Sequence, residues 1–361
     1  PTLRAEKAVA DEWEPRVLAT RYDPRSRPAN EKTAATIGMG MTEKQGGSDV
    51  RANSTLADPI GGDAYELVGH KWFYSAPMSD ALLTLAKTRA DAPPTCFLVP
   101  RWRPDGSRNP FHIQRLKDKL GNRSNASSEI EFRGAWGRRV GPEDRGVRTI
   151  LAMVHHTRLD CVSGSTGLMR MALAQALHHA RHRSAFGRRL AEQPLMRNVL
   201  ADLALEVEAA TALMLRLARG YDRAPEDAGE RAFARITAAV AKYWVCKRTP
   251  HAIGEALECL GGNGYVEEAI LARLYREAPL NAIWEGSGNV ICLDVLRAIA
   301  REPDALPALF AEVRLARGAD TRLDAALAQL EDDLRDPSDA ETRAREIVER
   351  LAIALQASLL L

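Results

Sequence analysis

The feature that most limits the fold is a change of hydrophobic period near residue 143. Before it, short β-rich runs alternate with turn residues, as in Ala64–Ser75, Ala81–Lys87, Thr95–Val99 and Ser128–Phe132. After it, apolar residues recur at helical spacing over long stretches. Leu151, Val154, Leu159, Val162, Leu168 and Met171 mark a helix over Gly146–His182. Leu195, Val199, Leu203, Val207, Leu213 and Leu217 mark a second over Pro194–Tyr221. A third is expected over Ala228–Leu260, bent near Pro250, and a fourth over Val290–Ile299. A period of two lines one face of a strand, whereas a period of 3.6 lines one stripe of a helix. The chain is therefore expected to be α+β, with an antiparallel, barrel-like sheet domain followed by a C-terminal helical bundle.

Residues 1–33 read as the remnant of an N-terminal helical region, with one helix around Ala5 to Leu18 and a Pro- and Arg-rich loop. Residues 34–143 read as the sheet domain, 144–300 as the bundle and 301–361 as a C-terminal helical extension. The chain opens at Pro1 inside a helical pattern and closes on an apolar run without a stop signal, so a fragment of a longer protein is expected. The net charge of +2 over 361 residues gives no whole-chain field that favours nucleic acid. Five cysteines without a CxxC pair predict buried free thiols in a reducing, cytoplasmic setting, and no metal site. Neither a signal peptide nor a bilayer-length apolar run is present in the sequence.

The chemistry concentrates in Asn281-Ala282-Ile283-Trp284-Glu285-Gly286-Ser287-Gly288-Asn289. One carboxylate stands between apolar and small residues. Ile283 and Trp284 are expected to exclude water, Gly286 and Gly288 to admit a ligand to the backbone, and Ser287 or Asn289 to cap the next helix. A dry carboxylate has a raised pKa and can take a proton from a weakly acidic C–H. On spacing alone, an exposed loop carboxylate beside a cap fits equally well.

Five other stretches carry alternatives of the same kind. Met41-Thr42-Glu43 through Gly47-Ser48-Asp49 reads as a cradle for a polar planar ligand or as an ordinary turn. In Lys71-Trp72-Phe73-Tyr74-Ser75, period two puts Lys71, Phe73 and Ser75 on one face and Trp72 and Tyr74 on the other, for ligand stacking or for sheet packing. Lys119 to Ser127 suits a loop lining a cleft or a solvated connection. Arg183 and Phe186 are expected on one helix face with Gly187 as C-cap; they suit a pyrophosphate and adenine, or simply a basic helix end. Gly261, Gly262 and Gly264 exceed what a cap needs and suit close approach to a phosphate, although no strand precedes them. Arg158 reads as a buried cation, the candidate for substrate binding, or as a surface salt bridge. The adjacent His155 and His156 point differently and make a poor metal pair.

Taken in order, these stretches resemble the acyl-CoA dehydrogenase family over roughly residues 34–300. The runs Gly38–Asp49 and Leu116–Ser127 are most similar to its AidB-type branch, which is associated with the response to DNA alkylation. The resemblance implies FAD. Met41, Thr42, Gly47 and Ser48, with Phe73, Tyr74 and Ser75, fall where relatives contact the flavin. Arg183, Phe186, Gly261 and Gly262 fall where they serve the pyrophosphate and adenosine of a cofactor shared between subunits. Trp284, Ser287 and Asn289 fall in the segment that carries the base. It further implies that Glu285 removes the α-proton of an acyl-CoA while the β-carbon passes hydride to flavin. An electron-transfer flavoprotein or similar acceptor and a homotetramer are likewise implied. Two features depart from the family pattern. Only about thirty residues precede the sheet domain, so part of the acyl pocket is missing. The region that the AidB branch assigns to DNA has eight Arg, no Lys and thirteen Asp plus Glu between Arg301 and Leu361, the wrong balance for phosphate contacts.

Overall fold

The period-two runs become strands in the computed structural model, which describes residues 1–336 and 338–361. After helix α1 (Lys7–Val17) come β1 (Ile37–Gly40), β2 (Leu56–Gly61), β3 (Ala64–Ser75), β4 (Ala81–Ala86), β5 (Thr95–Pro100), β6 (Phe111–Leu116) and β7 (Ser127–Arg139). They form one sheet in the order β2-β3-β1-β4-β5-β7-β6. A further β3–β7 pairing closes β3, β1, β4, β5 and β7 into a ring, which gives the barrel-like form expected. The sheet is not strictly antiparallel: β1 runs parallel to β4, with Ile37 opposite Ala81 and Gly40 opposite Thr84. The chain passes through β2 and β3 between these two strands, and that crossover is what allows the parallel pair.

Every residue of β4 is buried. Its alternate side chains serve two cores. Leu82 and Ala86 join Leu67, Tyr74, Phe97, Val99, Ile130 and Phe132, while Ala81, Leu83 and Leu85 join Val9 and Trp13 of α1 with Leu98 and Ile150. Three strands escape the sequence pattern for physical reasons. β1 contains two glycines; Gly40 is required because a Cβ there would meet the Tyr74 ring at 2.3 Å. β2 carries Pro59 beside a bulge, as edge strands do. β6 is an edge strand with almost no buried face.

The 3.6-period stretches form α2 (Gly146–His182), a two-strand hairpin of β8 (Ser184–Ala185) and β9 (Arg188–Arg189), α3 (Pro194–Arg223), α4 (Ala228–Cys259), α5 (Gly262–Tyr265), α6 (Ile270–Glu277), α7 (Gly288–Arg301), α8 (Ala305–Val313), α9 (Thr321–Asp333) and α10 (Ala344–Leu360). The chain divides into two compact units, Pro1–Val154 and His155–Leu361. In the second, α4 is the central helix. It continues through Pro250 and is rich in buried alanine, which lets neighbours approach on several sides. The last helices are part of the same core: Leu309, Leu327, Ile347, Val348, Leu351 and Leu355 pack with Leu213, Ile236, Ile291 and Val295. Among the described residues no helix is long and apolar enough to cross a membrane.

Candidate active site

Glu285 lies in the turn between a short 3₁₀ segment (Leu280–Ala282) and α7. Its backbone is left-handed, with φ 57°, and Gly286 follows at φ 109°. The carboxyl is largely shielded. Its Oε2 is buried without a hydrogen-bond partner. Burial pushes the Glu285 pKa up; a hydrogen bond with Thr157 and the charges of Arg158 and Lys242 only partly oppose it, and Asp160 adds to the rise. Trp284 stands half-buried beside it and anchors the turn, donating from Nε1 to Asn281 Oδ1 at 2.9 Å. Asn281 Nδ2 in turn donates to Ser165 Oγ of α2 at 3.1 Å. Ile283 does not help to exclude water, because it is 62% exposed.

Two cations hold the turn. Arg158 is 5% exposed, so it is a buried cation and not a surface one. Its Nη1 donates to Asp294 Oδ2 at 2.7 Å and its Nε to the Glu285 carbonyl at 3.3 Å. Two of its donors thus meet α7 and the turn. Lys242 of α4, which the helical pattern did not single out, donates to the Gly286 carbonyl. Ser287 occupies the N-cap position of α7 but makes no side-chain cap bond, and Asn289 Oδ1 accepts from Arg345 Nε of α10 at 2.7 Å. The expected capping role is thus filled by neither side chain.

Other expectations need correction. Helix α2 ends at His182, so Arg183 and Phe186 do not share a helix face. Phe186 (φ 53°) and Gly187 (φ 77°) make the two-residue turn of the β8–β9 hairpin, and Phe186 stands 97% exposed at its tip. Gly187 is thus a turn glycine rather than a cap. Gly261 and Gly262 are exposed, with open space where a Cβ would lie, whereas Gly264 is fixed by packing: a Cβ would meet the Leu257 carbonyl at 2.2 Å. In the first unit, the strict period two of β3 fails at a bulge between Lys71 and Tyr74. Both are fully buried, and the Tyr74 hydroxyl donates to the Leu83 carbonyl at 2.6 Å, so the Tyr74 ring belongs to the sheet core. Phe73 is 48% exposed, with Lys117 Nζ 4.6 Å from its ring centre. Ser75 is half-buried and pairs in register with Met39 and Ser127.

The Met41–Ser48 loop is held by a pair that the sequence did not reveal. Glu43 is fully buried; it accepts from Lys71 Nζ at 2.7 Å, from the Ser54 amide and hydroxyl, and from the Thr55 amide and hydroxyl. Burial would raise its pKa, but the Lys71 ammonium and these hydrogen bonds outweigh that and bring it down to about 2. The Thr42 carbonyl accepts from the Trp72 amide at 2.8 Å, and the Met41 carbonyl from Asn53 Nδ2 at 2.9 Å. Gly47 and Ser48 stay exposed, and a Cβ on Gly47 would meet Thr42 Oγ1 at 2.5 Å. All five cysteines are free and buried, and no described cluster of His, Cys, Asp and Glu could hold a metal ion.

The family models for the acyl-CoA dehydrogenase middle domain and C-terminal domain match residues 38–135 and 144–300. The chain belongs to the acyl-CoA dehydrogenase family. It is 50% identical over 352 residues, 97% of its length, to the putative acyl-CoA dehydrogenase AidB of Escherichia coli, and spans 64% of that protein. It is similar in structure to Caenorhabditis elegans ACDH-11 in complex with C11-CoA, with a TM-score of 0.85 at 31% identity over 91% of this chain and 60% of that one. Butyryl-CoA dehydrogenase of Megasphaera elsdenii gives a TM-score of 0.67 at 25% identity, over 74% of this chain and 68% of that one. The chain thus spans about three fifths of the length of these first two relatives.

Proposed function

We propose that the protein of which this chain is part is an FAD-dependent acyl-CoA dehydrogenase in which Glu285 abstracts the α-proton of the acyl thioester. The observation that carries the reading is the Glu285 carboxyl itself, shielded from water, raised in pKa by burial, and with one oxygen free to take a proton. A hydrated carboxylate would be a poor base toward so weak an acid; desolvation raises its basicity, and a fixed backbone keeps it in line. Glu285 takes the proton at Oε2, while the Thr157 hydrogen bond restricts where the carboxyl can turn.

The residues present fit the cofactor. Gly47, Ser48, Gly261 and Gly262 are exposed, and the two glycines near residue 261 have open space around them, as close backbone approach to a phosphate requires. Met41, Thr42, Gly47, Ser48, Phe73 and Ser75, with the Tyr74 backbone, would hold the flavin end. Arg183, Phe186, Gly261 and Gly262 would serve the pyrophosphate and adenosine of a cofactor shared with a neighbouring subunit, and Trp284, Ser287 and Asn289 lie in the segment that carries the base. FAD, when bound, supplies the acceptor for the β-hydride. An aromatic ring as exposed as Phe186 supports a role toward a neighbouring subunit, in keeping with a homotetramer. Acyl-CoA substrate and an electron-transfer flavoprotein as acceptor follow from the same reading, and buried free thiols accord with a cytoplasmic setting.

A second reading, a DNA-binding flavoprotein of the alkylation response, draws on the identity to AidB. The acidic excess after Arg301 does not supply the phosphate contacts it needs. The deciding experiment is anaerobic mixing of the yellow protein with acyl-CoA. Bleaching of the flavin band is expected, slowed about 10²- to 10⁴-fold by Glu285→Gln. An unslowed variant would remove Glu285 as the base, and a colourless protein that takes up no FAD would remove the flavoprotein reading.

A further inference from the structure

Glu285 is one of five non-glycine residues at positive φ among the described residues. A glutamate gains nothing there of its own accord, because its side chain is too long for the local hydrogen bonds that let Asn or Asp tolerate this region. Something else must hold it, and three helices supply the grip. From α2, Arg158 Nε donates to the Glu285 carbonyl at 3.3 Å, with Nη1 braced on Asp294. From α4, Lys242 Nζ donates to the next carbonyl, that of Gly286. From α7, Ile291 closes over Gly286 so tightly that a Cβ would lie 2.8 Å from it.

Lys242 is the unexpected member. It is 1% exposed, and among the described residues it forms no ion pair. A buried ammonium whose hydrogen bond goes to a carbonyl rather than to a carboxylate is costly and finds no stability rationale in packing alone. Its ammonium donates to the carbonyl of Gly286, the residue after Glu285.

We propose that Lys242, with Arg158, is a positioning residue that holds successive carbonyls of the turn, so that Glu285 stays left-handed and its carboxyl stays dry. The consequence for catalysis rests on the reading of Glu285 as base. The groups facing the carboxyl are Thr157, Arg158, Asp160 and Cys161 from α2 and Lys242 from α4, with Cys246 of α4 and Asp294 of α7 behind the cations.

The test follows the protonated-carboxyl infrared band of Glu285 against pH, with Glu285→Gln to assign it and thermal melting to monitor folding. In Lys242→Met the turn relaxes, water reaches the carboxyl, and the midpoint moves down toward the ordinary glutamate range. Lys242→Arg, which keeps a donor, restores it. With acyl-CoA, kcat of Lys242→Met falls about a hundredfold while KM changes little. A midpoint that moves up shows that Lys242 acts through its charge alone, and an unmoved midpoint shows a packing role; either overturns the proposal. If Lys242→Met gives no cooperative melt, Lys242→Ala, which likewise removes the donor and leaves room for water, carries the same comparison. The infrared readout needs neither flavin nor substrate. A Glu285 that titrates as expected in a protein without dehydrogenase activity would therefore sink the base assignment and leave the positioning role standing.

Discussion

Glu43 in the first unit and Glu285 in the second are both shielded carboxylates with a lysine nearby, and they are opposites. Glu43 has Lys71, two backbone amides and two hydroxyls on its oxygens, and its pKa is brought down to about 2. Glu285 has an oxygen with no partner, its neighbouring Lys242 is engaged with a carbonyl instead, and its pKa is raised. Burial raises both groups; at Glu43 the Lys71 charge and the hydrogen bonds reverse the sign, and at Glu285 they do not. A carboxylate so fully satisfied has no appetite for a proton and serves the fold. One left short of partners is destabilised as an anion and is suited to take one.

Substitutions should separate the two. The largest effect on stability is expected from Glu43→Gln, which leaves the Lys71 ammonium buried without a counter-charge and costs about 3–5 kcal/mol; denaturant unfolding measures it, and Lys71→Met in the same chain should recover part of the loss. A cost within about 0.5 kcal/mol would erase the contrast with Glu285. Gly264→Ala should cost less, about 1–3 kcal/mol, since its Cβ would press on the Leu257 carbonyl. Glu285→Gln should be neutral or slightly stabilising, by up to about 1 kcal/mol, because it removes a charge that burial penalises.

Acid sharpens the same contrast. The folded pKa of Glu43 is depressed, so its contribution is present above the ordinary glutamate value near 4.3 and is lost as pH falls toward about 2. Glu285 runs the other way. Its raised pKa favours the folded state while the group is protonated, and that advantage disappears as pH climbs through the raised value. Urea midpoints of Glu43→Gln and Glu285→Gln, each read against the parent chain from pH 3 to 8, should therefore diverge with opposite slopes.

The long elements were legible because their patterns are repetitive. The helix over Gly146–His182 and the strand over Ala64–Ser75 follow from apolar spacing, although the helix stops short of the Gly187 cap that the sequence suggests. Short or interrupted elements were not. The two glycines of β1, the proline of β2 and the exposed side of β6 erase the signal that burial would leave. At the site, Glu285 stood out because a lone carboxylate between Trp284 and glycines is unusual in local sequence. Lys71 and Lys242 did not disclose their partners, since Glu43 lies 28 residues from the first and Gly286 lies 44 from the second. Tyr74 was misplaced by a bulge, and Phe186 by a hairpin that begins two residues after the helix ends. Contacts distant in sequence and single-residue irregularities are set by tertiary structure, and no periodicity encodes them.

The measurement that bears most directly on the central claim is the pH profile of flavin reduction by acyl-CoA, under single-turnover conditions, in the parent chain and in Glu285→Gln. A dry base predicts a rate that falls with acidification through a midpoint above the ordinary glutamate range, with the acid limb absent from the residual rate of the variant. A limb at the ordinary carboxylate value, or one that survives the substitution, would contradict it.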